Sequence, residues 1–194
     1  MSEAREINLT NQFLIAMPGM ADDQFAGAVV YLCEHSDKGA LGLVINRPID
    51  IKLKNLFERV DLSLDREDLA DEPVYFGGPV QTERGFVLHE PLGASDGDAY
   101  SSTLNIPGGL VMTTSRDVLE ALSHGAGPKR VLITLGYAGW GAGQLEDELA
   151  RNGWLTVAAD PGIIFETPVE ARYERALGLL GIDRLMLSSD AGHA

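Results

Sequence analysis

Residues 28–46, AVVYLCEHSDKGALGLVIN, read as two β runs joined by a short turn. Ala28–His35 is rich in β-branched and aromatic residues, and Ala40–Asn46 returns with Leu, Val and Ile. Lys38-Gly39 supplies a polar, glycine-containing link, and two such runs around a short loop predict a hairpin. Side chains alternate along an extended strand, so Val29, Tyr31 and Cys33 are expected on one face, with His35 beside Cys33.

The same pattern continues outward. Phe13–Ala16 reads as a strand stopped by Pro18-Gly19. Val74–Phe76 and Gly85–His89 flank Gly77-Gly78-Pro79, and Tyr100–Ile106 and Leu110–Thr113 flank Pro107-Gly108-Gly109. Val131–Tyr137 is the most apolar run and is expected at the centre of the sheet, before a glycine-rich turn; Trp154–Ala158 adds a further strand. Helical spacing is seen at Leu53, Leu56, Phe57 and Val60. Ser115 is placed to cap a helix reaching His124, where Gly125 ends it. Another helix is expected from about Gly143 to Asn152. Thr167-Pro168 with Glu170 forms a capping-box pattern, with proline at the first helical position, for a last helix reaching about Leu180. The acidic stretch Asp61–Glu72 is expected as a solvated loop or frayed helix. Strand runs precede most of the helices, which predicts α+β: a largely antiparallel or mixed sheet with about four helices packed on it. One compact domain over 8–187 is expected, with a flexible arm at 1–7 and a disordered tail at 188–194.

Charge and cysteine usage narrow the function. The chain carries 29 acidic residues against 15 basic ones, a net −14. That field repels phosphate backbones and anionic membranes, so nucleic acid is disfavoured as a partner. The single cysteine forbids an internal disulfide, which suits a reducing compartment. The apolar run Phe13–Met17 is too short for a signal-peptide core or a membrane span. The expected location is the cytoplasm, with no membrane association and no cofactor.

Several stretches resemble chemical motifs and fail on context. Gly136-Tyr137-Ala138-Gly139-Trp140-Gly141-Ala142-Gly143 stands between a strand and a helix, where backbone amides can cradle an anion. It lacks the Lys-Ser/Thr of a P-loop and the spacing of a dinucleotide fingerprint. Glu146, Asp147 and Glu148 already complement the helix start, so a pocket for an uncharged or cationic ligand beside Trp140 and Gln144 is the functional reading, against a tight turn whose glycines allow close packing. Gly93-Ala94-Ser95-Asp96-Gly97 has the nucleophile-elbow pattern but no strand-to-helix setting. Cys33 is a redox candidate if His35 lowers its pKa; otherwise it is a small buried apolar group. The histidines show no metal-ligand spacing, so no metal is expected. Asn46-Arg47-Pro48 and Arg84-Gly85-Phe86-Val87-Leu88-His89 supply two arginines and a histidine, for carboxylate recognition or for internal ties.

Taken together, Leu9–Met20, Gly39–Pro48, Val74–Val80, Arg84–His89 and Gly136–Glu146, in that order, resemble the YqgE/AlgH family of bacterial proteins. The likeness runs from roughly Asn8 to Met186. It implies a compact α+β fold in a cytosolic bacterial protein and brings no catalytic residues with it. The AlgH branch is associated with transcriptional control of alginate synthesis, which the net charge disfavours as direct DNA contact.

Three readings follow. The first is a regulatory module binding a small molecule or a protein, with Asn46, Arg47, Arg84, His89, Trp140 and Gln144 around one site. The second is an enzyme using His89 as base and Arg47 or Arg84 as anion clamp. The third is direct transcriptional regulation.

Overall fold

In the computed structural model, described over residues 8–19, 25–91 and 100–182, the chain is an α+β fold of ten strands and six helices. The first strands are β1 (Gln12–Ala16), β2 (Val29–Ser36), β3 (Gly39–Val44) and β4 (Pro48–Lys52), followed by helices α1 (Leu53–Arg59) and α2 (Glu67–Ala70). Next come β5 (Pro73–Phe76), β6 (Val80–His89), β7 (Thr103–Asn105), β8 (Val111–Thr113) and α3 (Arg116–Ser123). The chain then runs through β9 (Val131–Gly141), α4 (Gln144–Ala150), β10 (Trp154–Ala158), α5 (Pro161–Phe165) and α6 (Arg172–Gly178). The sheet order is β10-β1-β2-β3-β9-β6-β8-β7, and β4 pairs with β5, which joins β9. Among the described pairings only β5–β9 is parallel.

The central strand is β9, as its apolar sequence predicts, and it belongs to two half-sheets. Its first half lies between β5 (Tyr75 opposite Thr134) and β6 (Val87 opposite Ile133). Its second half takes β3, with Gly42 opposite Ala138 and Gly39 opposite Gly141. The exchange of neighbours happens at Gly136, where the backbone after β5 crosses β9 at contact distance. A Cβ on Gly78 would sit 2.1 Å from the Tyr137 carbonyl carbon, and one on Gly136 2.3 Å from the Gly78 carbonyl oxygen. Gly136 also has φ +79°, which glycine tolerates without a steric cost. The glycine-rich stretch expected as a turn is therefore strand up to Gly141. The turn itself is short and ends at Gly143 (φ 75°), which opens α4.

Sharing β9 curls the sheet and divides the core into three layers. Inside the curl, Phe13, Ile15, Val29, Tyr31 and Cys33 from one half face Phe86, Leu88, Met112 and Leu132 from the other, and α5 and α6 add Ile163, Ile164, Tyr173 and Leu177. The outer face of the β1–β3 half carries Leu14, Val30, Leu32, Trp140 and Trp154 under Leu145 of α4. The outer face of the β6 half carries Val87 and Ile133 under Phe57 of α1 and Val118 and Leu122 of α3.

The hairpin decided by residues 28–46 forms with one irregularity. The register between β2 and β3 shifts between Leu32 and Glu34, leaving Cys33 as the extra residue. A bulge reverses the alternation beyond it. Cys33 consequently points into the inner core, while His35 pairs with Ala40 and meets Glu146 of α4 on the outer face. The expectation that Cys33 and His35 share a face fails for that reason.

Other differences are local. Strand β4 and helix α5 are additional to the expected elements; Asp160 caps α5 by accepting from the Gly162 amide at 2.9 Å, with Pro161 at its start. The capping box expected at Thr167 does not form. The Thr167 hydroxyl donates instead to the Gly162 carbonyl at 3.3 Å, and a 3₁₀ turn at Val169–Ala171 leads into α6. Asn152 takes the left-handed position after α4, at φ 60°. The expected arm at 1–7, the tail at 188–194 and the elbow-like 93–97 lie outside the described residues. No helix of the described residues is long and apolar enough to cross a membrane.

Candidate functional site

Strand β6 contains a glycine that neither its conformation nor its packing requires. Gly85 pairs with Leu135 of β9, its φ is not in the left-handed region, and a Cβ built on it would meet nothing within 4 Å. This sets it apart from Gly78 and Gly136, where the close backbone crossing leaves no room. An interior strand glycine weakens a sheet and often marks a place where something else approaches the backbone.

The space above Gly85 is a cleft of about 230 Å³. Its floor is the β6–β9 ladder: Glu83, Gly85 and Val87 on one strand, Leu135 and Ile133 on the other. Leu56 of α1, Val60 and Leu119 of α3 form apolar walls, and Thr113, Thr114, Ser115 and Arg116 form a polar side. The volume is somewhat below the ~300–1,000 Å³ of most ligand pockets, so the occupant is small or enters only in part. The polar side is pre-ordered. The Ser115 hydroxyl donates to Asp117 at 2.5 Å, and Arg116 donates to the Val60 carbonyl at 2.6 Å and to Glu120 at 3.2 Å.

Two of the residues expected at a site do not line this cleft but hydrogen-bond residues that do, from opposite faces of β6. His89 follows Val87 on the floor face and is buried. Its Nδ1 donates to the Glu90 carbonyl at 2.9 Å, so its Nε2 accepts from the Thr113 hydroxyl at 2.9 Å. Burial holds its pKa below the ordinary value, keeping the ring neutral. Arg84 leaves the other face with Phe86, lies 5.8 Å from that ring, and donates to Thr114 at 3.3 Å. The anion clamp and the base of the enzymatic reading therefore project from opposite faces of β6.

The other expected residues do not join them. Asn46 accepts from the Val29 amide at 2.9 Å and donates to the Gly27 carbonyl at 2.9 Å, while Arg47 donates to the Ala26 carbonyl at 2.7 Å; both tie the approach to β2 onto the end of β3. Trp140 is buried under α4, where its indole N–H donates to Glu148 at 3.1 Å alongside that of Trp154 at 2.9 Å. Gln144 accepts from the Gly141 amide at 2.9 Å. Gly136–Gln144 is thus a joint between sheet and α4. Cys33 is 1 % exposed, and burial in apolar surroundings pushes its thiol pKa up, away from a reactive thiolate. No group of three or more His, Cys, Asp or Glu positioned for a metal occurs among the described residues.

Thr113, Ser115 and Gly85 were within reach of sequence reasoning only in part. A glycine inside an otherwise apolar strand run is a visible signal, whereas the threonines are set by their pairing across the sheet.

Comparison with known proteins places this architecture. The AlgH-like family matches residues 13–185. A UPF0301 protein of Burkholderia cenocepacia is 70% identical over 188 residues, covering 97% of this chain and 96% of that protein. A UPF0301 protein of Burkholderia mallei is 69% identical with the same coverage. The solution structure of the AlgH protein from Pseudomonas aeruginosa is similar with a TM-score of 0.76 and 50% identity, over 100% of both chains. A crystal structure of a Corynebacterium diphtheriae protein shares the fold at TM-score 0.67 and 21% identity, over 90% of each chain.

Proposed function

We propose that this chain, which belongs to the AlgH-like family, is a cytoplasmic binding module with a regulatory role, and that its ligand enters the cleft over Gly85. The observation that carries the reading is Gly85 itself: a glycine held inside a strand, with an ordinary backbone and open space where a side chain would fit. The apolar floor and walls take an aliphatic or aromatic group, from a small molecule or from a partner's side chain. Thr114, Ser115 and Arg116 set a polar end.

The catalytic alternative has one supporting geometry. The Thr113 hydroxyl, the His89 ring and the Glu90 carbonyl stand in a nucleophile–base–orienter order. Thr113 borders the cleft but is 0% exposed, and its hydroxyl oxygen is engaged both by His89 and, at 3.1 Å, by the Thr103 hydroxyl, so it sits in a closed network. Direct DNA contact gains nothing from a net charge of −14.

A thermal-shift screen of small apolar and amphiphilic metabolites against the wild-type protein and Gly85→Leu tests the reading. A ligand at 100 times its Kd stabilises by about 2.7 kcal/mol, a rise of roughly 5–11 °C for a chain of this length. Such a rise is expected in the wild type and should vanish in Gly85→Leu. Hits that stabilise both proteins equally would place the ligand elsewhere.

A further inference from the structure

A second cleft, of about 190 Å³, lies on the other side of α1 between α2, β5, the start of β9, α5 and α6. At its wall is Arg172, a residue only 6% exposed. Its Nε donates to the Thr167 carbonyl at 3.0 Å and its Nη1 to the Ile45 carbonyl, and the group lies 5.0 Å from the Tyr75 ring centroid. Among the described residues no carboxylate comes within ion-pairing distance of it. Carbonyl dipoles and a ring face soften the desolvation of a buried cation but do not neutralise it.

The charges around the cleft balance overall, Arg66, Lys129, Arg130 and Arg172 against Asp68, Glu72, Glu90 and Glu166. Arg130 is held by Glu90 at 2.8 Å and Glu166 at 2.5 Å, and Asp68 by Arg66 at 2.8 Å. Exposed Lys129 and exposed Glu72 balance one another on the rim. Of these cations, Arg172 and Lys129 are the two with no carboxylate within ion-pairing distance among the described residues. Three of the chain's fifteen basic residues line this one opening in an otherwise acidic protein.

We propose that the cleft bounded by Arg172, Tyr75 and Lys129 is a subsite for a small oxyanion, a carboxylate or a phosphate. The guanidinium would meet the anion with the donors it does not use on Thr167, Ile45 and the Tyr75 hydroxyl, and Lys129 would close over it from the rim. The restricted volume limits the ligand to a small anionic group or the anionic end of a larger one. This site is separate from the cleft over Gly85, so either can fail without the other.

The test is a titration of the isotope-labelled full chain followed by amide resonances, using inorganic phosphate, succinate and, as ionic-strength control, sodium chloride. The expected result is saturable shifts at Tyr75, Val131 and Leu132 with phosphate or succinate and none with chloride, with a Kd on the order of 1 mM. Lys129→Glu, at an exposed position that leaves the fold intact, should weaken binding at least about tenfold, as should Arg172→Lys, which keeps the charge but loses the planar fork. Tyr75→Phe serves in its place if Arg172→Lys unfolds. Saturation with phosphate alone identifies a phosphoryl ligand, and saturation with succinate a carboxylate. Unsaturated shifts, or equal binding by wild type and Lys129→Glu, would overturn the proposal.

Discussion

Replacing Gly85 separates a glycine kept for structure from one kept for a ligand. In a strand interior glycine costs roughly 0.5–1 kcal/mol relative to alanine through lost backbone entropy in folding. A Cβ at Gly85 meets no atom within 4 Å, so Gly85→Ala carries no steric penalty to set against that gain. The expected outcome is a stabilisation of about 0.5–1 kcal/mol, a rise of roughly 1–4 °C in Tm for a chain of this length. Gly85→Leu extends into the cleft toward Leu56 and Leu119; burial of its apolar surface offsets its ordering, and a stability within about 1 kcal/mol of wild type is expected. Urea denaturation followed by circular dichroism reads both, and an unchanged m-value shows that the denatured state is not what moved. A loss of more than about 1 kcal/mol in Gly85→Ala would mean that the glycine is structural, and the reasoning that makes the cleft a site would be refuted.

Three further outcomes follow from the same structure. Gly78→Ala should cost about 2–4 kcal/mol in the same assay, because its Cβ would fall 2.1–2.2 Å from backbone atoms of Tyr137 and Ala138 at φ +154°. Cys33 should resist a thiol reagent in the folded protein and react fully once denatured; prompt labelling without denaturant would contradict its burial. For His89 the folded pKa lies below the unfolded one, so the unfolded chain binds the proton first. Its contribution is intact above about pH 6.5 and is lost as pH falls below that value. The wild type should therefore lose stability between about pH 6.5 and 5 more steeply than His89→Gln. The depressed carboxyls of Glu90 and Asp117 act in the same direction at lower pH, below their ordinary values near 4. Parallel profiles for the two proteins across the upper window would remove His89 as the cause.

Much of the sheet was legible because its signals are local. The β2–β3 hairpin, the central place of β9, α1, and α3 with its stop at Gly125 all follow from alternation, helical spacing and turn residues. What stayed hidden depends on contacts between distant parts of the chain. Nothing near Gly136 says that Gly77-Gly78 crosses it, so its glycines read as a turn although they belong to a strand. The bulge at Cys33 is equally silent in sequence, and one extra residue sends His35 to the opposite face. Helix α5 has only five residues, too few to show a period. The candidate site was legible in pieces: Arg84–His89 held the right strand, but the residue that opens the cleft was the glycine between them.

The polar groups inside the protein form a closed set of ties. Among the described residues, no buried side-chain nitrogen or oxygen lacks a hydrogen-bond partner. His89 uses both ring nitrogens, the Glu148 carboxylate takes two indoles, and the Tyr31 hydroxyl bridges Asn11 at 2.8 Å and the Leu110 amide at 3.2 Å. Burial raises that phenol's pKa to about 12, so it remains a neutral tie rather than an acid. Acid–base chemistry requires a group within hydrogen-bond reach of substrate, free to exchange a proton there. These groups are committed to one another across elements distant in the chain, which ties the two halves of the sheet and the seat of α4. The clefts over Gly85 and beside Arg172 differ in chemistry, one apolar above an unneeded glycine and one beside an arginine without a carboxylate. Recognition, as proposed for this chain, needs a rigid frame with openings of defined chemistry in it.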